Sequence, residues 1–471
     1  MLSTIMRHQW QQALRDQRVR WLAIALILAG LAALLSGLAR QQRLSAERAE
    51  AIRADAEAWS RQGVVDPHGA AHFGRTAFKP ISLLSALDPG LLDHIGSLVR
   101  LEAHKQNVAS GRPSDAGTAL TAFVPFTAAS ALQIFAPVLI ILTGFGVFSG
   151  EAARQILRLE LAAGIPPRVL LMGRFLALGG GVAGVLGLFG LAGAVGLWLT
   201  DAPAPDFARL GLLLVGYGAY LLTFLALTLG ISALCVSARP ALAGLLALWL
   251  ATVLLVPRIG PSLSAQVYPV PSVPVFVNQV SESIDDGLDG HDPRHTRMDR
   301  LRARAMAQYG VTRIEDLPVN FGGLALEYGE AATTRAYQQH FDALFTNYER
   351  QSRLLQALSP LSPRLPLQGW SAGLAETDFA AHRAFLQDAE QYRYAFVQAL
   401  NQAVVRSTPG QPRAAVRVAD ITAEVDRAAG HSVTLGETWR RQWSNGVLLL
   451  TWLGFSVGFA LWAAGRLHRL S

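Results

Sequence analysis

With 471 residues, 51% of them hydrophobic and only 16% charged, and a mean hydropathy of +0.29, the chain is too apolar for an ordinary soluble protein. Its formal net charge of +7 does not point to nucleic acid, because the arginines flank apolar runs or lie scattered among acids instead of forming a basic face. Lysine occurs only at Lys79 and Lys105, neither in a G-x-x-x-x-G-K-[ST] setting, which excludes ATP binding by that loop, and the lone Cys235 excludes an intrachain disulfide.

In chain order, a basic tail (1–20) precedes six apolar runs long enough to cross a bilayer: 21–39, 129–149, 175–199, 210–236, 241–256 and 447–464, with a short tail at 465–471. The fifth is the shortest and ends against Pro257. The first is longer than the roughly 7 to 15 residues of a signal-peptide core and is expected to remain as an anchor. Arg7, Arg15, Arg18 and Arg20, then Arg154, Arg158, Arg168 and Arg174, then Arg239, then Arg466 and Arg469 all fall on one side of this threading. Since basic side chains resist translocation, both termini are expected in the cytoplasm of a bacterium, with the protein in its inner (plasma) membrane. Segments 40–128 and 257–446 then lie outside, and both are too long to be mere connectors.

The second outer segment reads as helical over Met298 to Gln308, Glu330 to Leu358 and Asp378 to Val405, because apolar residues recur at three- and four-residue spacing. Three prolines between Ser359 and Pro366 predict a corner, and Pro409 to Pro412 a second joint. Trp439 and Trp443 stand where interfacial aromatic anchors are expected. The expected fold class is an all-α polytopic membrane protein with six transmembrane helices and a mainly helical extracytoplasmic domain.

Residues 150–174 form the most informative cytoplasmic piece. Glu151, Arg154, Gln155 and Arg158 follow i, i+3, i+4, i+7 spacing and define one polar face, with Ile156, Leu157 and Leu161 on the remainder. Gly164 predicts a helix stop, and Pro166-Pro167 separates this short helix from the next. Such a helix suits a lever that docks a soluble motor, and equally a helix resting in the headgroups.

A glutamate after the second run, an arginine- and leucine-bearing helix, and a turn containing Gly164, Pro166, Pro167 and Arg168 resemble the coupling region of ABC-2 type transporter permeases. Within that class the chain resembles the branch with large extracytoplasmic segments catalogued as a domain of unknown function. The matching motifs are Asp66-Pro67-His68 with Ala71-His72-Phe73-Gly74, Pro257-Arg258, Gly290-His291-Asp292-Pro293, Tyr309-Gly310-Val311, Leu317-Pro318-Val319-Asn320-Phe321-Gly322-Gly323 and Ala389-Glu390-Gln391-Tyr392-Arg393. In many relatives Gly-Thr stands where this chain has Arg154-Gln155. The resemblance implies a permease without ATPase activity or a cofactor of its own, dimeric with itself or a sister permease. It also implies, as the motor, two copies of a cytoplasmic ABC ATPase subunit that carry ATP and Mg.

No catalytic or metal site is expected from the sequence. Glycines at 181, 184, 187, 190, 193 and 196 step about 60° short of a turn each time and so wind around their helix. The acidic run Asp285, Asp286, Asp289, His291, Asp292, His295 fails the EF-hand pattern, with Gly287 and Thr296 at the third and twelfth positions, and reads as a turn and cap. His68, His72, His340 and His382 are too scattered to pair, and neither H-E-x-x-H nor G-x-S-x-G occurs. The leading expectation is an exporter permease. The alternative is a mechanical transmitter moved by the same ATPases to act on a periplasmic partner, and a membrane-anchored extracytoplasmic enzyme stands behind both.

Overall fold

The computed structural model describes residues 2–111, 126–407, 415–428 and 434–467. Among the described residues, five helices are long and apolar enough to cross a membrane, and a shorter apolar helix covers Ala128–Gly144, an arrangement compatible with a multi-pass membrane protein. A polar, mostly helical head stands at one end of this apolar bundle.

The basic tail is itself a helix, α1 (Leu2–Arg15), lying on the helix that follows the 150–166 segment, and Asp16 caps the next helix through its carboxylate. That helix, α2 (Gln17–Arg61), far outruns the apolar run at 21–39. No glycine or proline occurs between Leu38 and Gln62, so nothing ends it until Gly63, and its polar half becomes a stalk inside the head. There Asp55 pairs with Arg75 at 3.1 Å, and Trp59 donates to the Thr422 hydroxyl at 3.0 Å.

Strand β1 (Val64–Val65), the short helix α3 (Pro67–Phe73), and strands β2 (Arg75–Phe78), β3 (Leu98–Glu102) and β4 (Lys105–Gln106) follow. The last three form an antiparallel sheet in the order β2-β3-β4, and β1 pairs with β5 (Val416–Arg417) far along the chain. These small sheets are minor additions to the mainly helical outer region that the sequence leads one to expect.

The second apolar run is a composite: α4 (Ala128–Ser130), a π-helical turn at Ala131–Phe135, then α5 (Ala136–Gly144). It stops short of the expected 149, since Gly144 and Gly146 flank Phe145 and the chain turns there. Next come α6 (Glu151–Ala162), α7 (Pro167–Leu199) and α8 (Ala204–Leu234).

The fifth run does not end at Pro257. Helix α9 (Ala238–Trp249), a π turn at Leu250–Leu255 and α10 (Val256–Val267) make one rod, Ala238–Val267. A proline lacks the N–H that would reach the carbonyl four residues back, so each π turn stands ahead of a proline, Pro137 or Pro257. The released carbonyls are bonded from elsewhere: Tyr220 donates to Gln133 O at 2.6 Å, and Arg364 donates to Val253 O at 2.7 Å. An apolar surround leaves no water to do this, so the caps allow both helices to continue.

The head is completed by α11 (Val273–Asp286), α12 (Arg294–Tyr309), α13 (Phe321–Ala357), α14 (Arg364–Leu374), α15 (Phe379–Val405) and α16 (Val418–Ala428), and α17 (Leu435–Ala464) returns to the bundle. The three helices read from spacing correspond to α12, α13 and α15. The proline corner is a 3-10 turn at Ser359–Leu361, and α14 directly after it was not anticipated. The joint predicted at Pro409 to Pro412 lies outside the described residues. One apolar core runs through the bundle; a second, built on Trp59, Leu101, Phe396 and Leu400, fills the head.

Candidate functional site

Helix α8 is the axis of the bundle. Of its most apolar window 67% is buried, against 11% for α2, and both α7 and α17 pack along it. Its C-terminal end leaves carbonyls without helical partners, as every helix end does. Helix α6 supplies donors for them. Arg154 donates through Nη2 to Cys235 O at 2.9 Å, and the Gly150 N–H donates to Val236 O at 3.0 Å. A guanidinium at a helix C-terminus also meets the negative end of the helix dipole. Just before α6, the Phe148 N–H donates to the Ser232 hydroxyl of α8 at 2.9 Å. Arg174 of α7 binds Glu160 of α6 at 2.7 Å and lies over the Phe148 ring.

Arg154 is therefore an inward-facing anchor, only 5% exposed, and the expectation of one polar face containing it is corrected. It stands at the edge of the helix turned to the bundle, about 40° around from Arg158 and about 60° from Glu151, whereas Glu151, Gln155, Arg158 and the apolar Leu159 are exposed. Gly164 ends α6 with φ +78°, Pro166 precedes α7, Pro167 is its first residue, and Arg168 is exposed on its first turn. The helix boundaries follow the sequence expectation.

At the other end of α8 the head inserts α14. Trp370 donates to Leu212 O at 2.9 Å, and Ser371 shares a hydrogen bond with Tyr217 at 3.0 Å. Gly216 allows this approach: a Cβ there would stand 2.4 Å from Trp370 Nε1. With a rise of about 1.5 Å per residue, Leu212 and Cys235 are about 35 Å apart along α8. One rigid helix thus carries α6 at one end and the head's α14 at the other. Beside this junction a cleft of about 1170 Å³ opens between head and bundle, its wall combining Arg48, Lys79, Arg209 and Glu376 with Phe78 and Phe385.

The motifs singled out in the head have separate structural roles. His291, Asp292 and Pro293 form the turn into α12, where Asp289 accepts from the His291 N–H at 3.1 Å and Asp292 pairs with Arg300. Pro318 leads to Asn320, which caps α13 by accepting from Gly322 N at 2.9 Å and also donates to Ser407 at 3.0 Å. Gly74, at φ +65°, passes within a Cβ clash of Leu101 O.

Glu390 and Arg393 meet in one buried array. Arg393, 1% exposed, donates to Glu390, to Glu330, to the Thr334 hydroxyl at 2.8 Å and to Glu102 O at 3.1 Å. Glu330 also accepts from the backbone N–H of His104 at 2.8 Å and stands 3.1 Å from His104 Nδ1. Burial pushes Glu330 up, but the hydrogen bonds from His104 and Arg393 and the guanidinium charge outweigh it and hold the carboxyl down at about 2.

Beyond Glu330 stand three imidazoles. His68 and His72 share one face of α3 at i, i+4, with their Nε2 atoms 3.2 Å apart, and His104 joins them from the β3–β4 turn. One ring nitrogen of each lies within 4.8 Å of those of the other two. In the sequence His68 and His72 read as scattered histidines, and nothing marks His104. Only the i, i+4 spacing hinted at a pair, since His104 is brought in by the hairpin.

A family model described as "Domain of unknown function (DUF3526)" matches residues 275–430, which covers most of α11 and all of α12 to α16, with Glu330 and Arg393, but neither α6 nor the three histidines. No curated protein and no solved structure matches the chain.

Proposed function

We propose that this chain is the transmembrane permease subunit of an ABC-type exporter, with α6 and both termini in the cytoplasm and the head on the outer face of a bacterial inner membrane. ATP and Mg are held by two copies of a separate cytoplasmic subunit, and a second permease, a copy or a sister, completes the transporter. The observation that carries this reading is the connection through α8: a surface helix with an exposed Glu151, Gln155, Arg158 and Leu159 face is bonded to one end of a buried rod, and the head is bonded to the other. Movement imposed on α6 by a nucleotide-driven partner would pass into α8 and displace α14. The resemblance of the Gly150–Arg174 segment to a coupling region agrees with this assignment. The cleft beside α14, apolar over much of its wall but with charged groups of both signs, suits an amphipathic substrate.

A second reading, mechanical transmission to a periplasmic partner without transport, draws on the same α8 connection and omits the cleft. The test is affinity purification of the tagged chain from its native membranes, comparing wild type with Glu151→Arg plus Arg158→Glu. Loss of a co-purifying nucleotide-binding subunit, with the permease still folded, supports the docking face. If folded wild type retains no ATPase in any nucleotide state, the proposal fails. ATP-dependent movement of a lipid-like fluorophore in proteoliposomes separates transport from transmission.

A further inference from the structure

We propose that His68, His72 and His104 form a three-histidine site for a first-row transition-metal dication of the Zn²⁺ class, with Glu330 as the carboxylate that positions His104. Nothing in the exporter reading requires such a site, and the inference does not depend on that reading.

Four observations support it. The first is ligand geometry. Two nitrogens bound to one tetrahedral Zn²⁺ at about 2.0–2.1 Å lie about 3.4 Å apart, and the His68 and His72 Nε2 atoms stand at 3.2 Å. One ring nitrogen of each of the three imidazoles lies within 4.8 Å of those of the other two, a span that side-chain rotations close to the ligand spacing. Second, Glu330 occupies His104 Nδ1, which fixes the tautomer and leaves Nε2 as the ligand atom. A carboxylate behind a ligating imidazole is the usual outer support of such sites. Glu330 is in turn held by Arg393, so His104 is backed by a buried ionic array.

Third, the backbone is committed to this placement. His104 adopts φ +62°, a left-handed conformation for a non-glycine residue, at the two-residue turn between β3 and β4. That turn is fastened on both sides: Ala103 N–H donates to Ala71 O of α3 at 3.0 Å, and His104 N–H donates to Glu330 of α13. Fourth, the chemistry and access are suitable. An all-imidazole set favours Zn²⁺, Cu²⁺ or Ni²⁺ over Mg²⁺ or Ca²⁺, which prefer oxygen. His72 is exposed and His104 partly so, which leaves a coordination position open to water or a ligand. A bound ion would join α3 to the hairpin and, through Glu330, to α13.

The test uses the full-length protein in detergent with a tag free of histidine, stripped by chelator and dialysed. Zn²⁺ is then titrated calorimetrically, and Co²⁺ by its visible d–d absorption. We expect one ion per chain, intense tetrahedral-type Co²⁺ bands and a raised thermal midpoint. His72→Ala and His104→Ala should each remove the tight event, whereas His340→Ala should leave it intact. Glu330→Gln should weaken affinity by about 10- to 100-fold with the Co²⁺ spectrum altered but present. Because Glu330 also serves Arg393, the exposed His72→Ala, which removes no core contact, is the decisive variant. Binding of equal stoichiometry and affinity in folded His72→Ala and His104→Ala would overturn the assignment, as would folded wild type that takes up neither ion at micromolar concentrations. The trio would then be a hydrogen-bonded histidine cluster only.

Discussion

The guanidinium of Arg154 caps Cys235 O at 2.9 Å, so a side chain of α6 closes the C-terminus of the bundle's central helix. Its neighbour Arg158, one turn on, is exposed. The two arginines should therefore fail differently when replaced. Arg154→Ala leaves a helix-end carbonyl without its donor and is expected to lower the thermal midpoint, with a loss of about 1–3 kcal/mol for a hydrogen bond to a charged group. Arg158→Glu should leave that midpoint within experimental scatter and reduce only partner capture. Differential scanning fluorimetry in detergent, alongside the pull-down, separates the two, and equal destabilisation by both would contradict the inward placement of Arg154.

Gly216→Ala is the cleanest way to part the head from the bundle, because the new methyl group would meet Trp370 Nε1 and Cδ1 at 2.4 and 2.5 Å. We expect the Trp370 to Leu212 bond to break and α14 to shift outward. Under the proposed exporter function, the variant should still bind the ATPase but show uncoupled hydrolysis. Cross-linking of cysteines placed at 217 and 371 with a short bifunctional reagent, which keeps Trp370 in place, would report the displacement: an unchanged yield would mean that α14 accommodates the methyl group in place.

The carbonyls released ahead of Pro137 and Pro257 predict a paired effect. Tyr220→Phe removes the donor to Gln133 O, and Arg364→Met the donor to Val253 O. Each leaves a buried carbonyl unsatisfied at a cost of about 1–3 kcal/mol. Phe and Met preserve most of the apolar volume, so packing loss is small. Replacing Pro257 by Ala in the Arg364→Met background should recover part of the loss, because the backbone N–H returns to bond that carbonyl; unfolding of all variants by a common denaturant series would show it.

The Arg393 array should be intolerant of partial removal. Arg393→Ala leaves Glu330 and Glu390 buried without their cation, and a broken buried pair costs about 3–5 kcal/mol. Arg393→Lys should also be damaging, since one ammonium cannot reproduce the fork that reaches both carboxylates, Thr334 and Glu102 O. Limited proteolysis of the head, with bundle helices as the internal control, measures the loss.

Acid should weaken the head through His382. Burial, aided by the Lys79 charge, pushes this imidazole from 6.5 down to about 4. The unfolded chain therefore binds the proton more readily between those values. The stability contribution of neutral His382 is complete above pH 6.5 and is lost as pH falls towards 4. His382→Asn should flatten the fall in thermal midpoint over that interval; a slope equal to wild type would assign the acid response to other groups.

Much of the architecture was legible in the chain itself. Apolar run length located the bundle helices, three- and four-residue spacing found α12, α13 and α15, and Gly164 with Pro166-Pro167 marked the end of α6 and the start of α7. The excesses and shortfalls have local reasons. Helix α2 outran its apolar run because composition marks where a helix meets an apolar surround, not where it ends, and the rod through Pro257 continued because Arg364, distant in sequence, caps the Val253 carbonyl that the proline releases. Which arginine of α6 faces in and which faces out was not legible, because amphipathic spacing gives relative angles between residues but not the direction from which the bundle approaches.

The candidate sites divide along the same line. Sequence alone determined which segments are apolar enough to cross a membrane, the positions of breaks and caps, and the absence of a phosphate-binding loop, since these depend on neighbours a few residues apart. Only the tertiary structure decided that Arg154 anchors α8, that α14 meets α8 at Gly216, and that His104 stands beside His68 and His72 with Glu330 behind it. His104 and Glu330 are 226 residues apart in the chain. No local pattern encodes such a meeting, because it arises where a hairpin turn is pressed between α3 and α13 by the packing of the whole head.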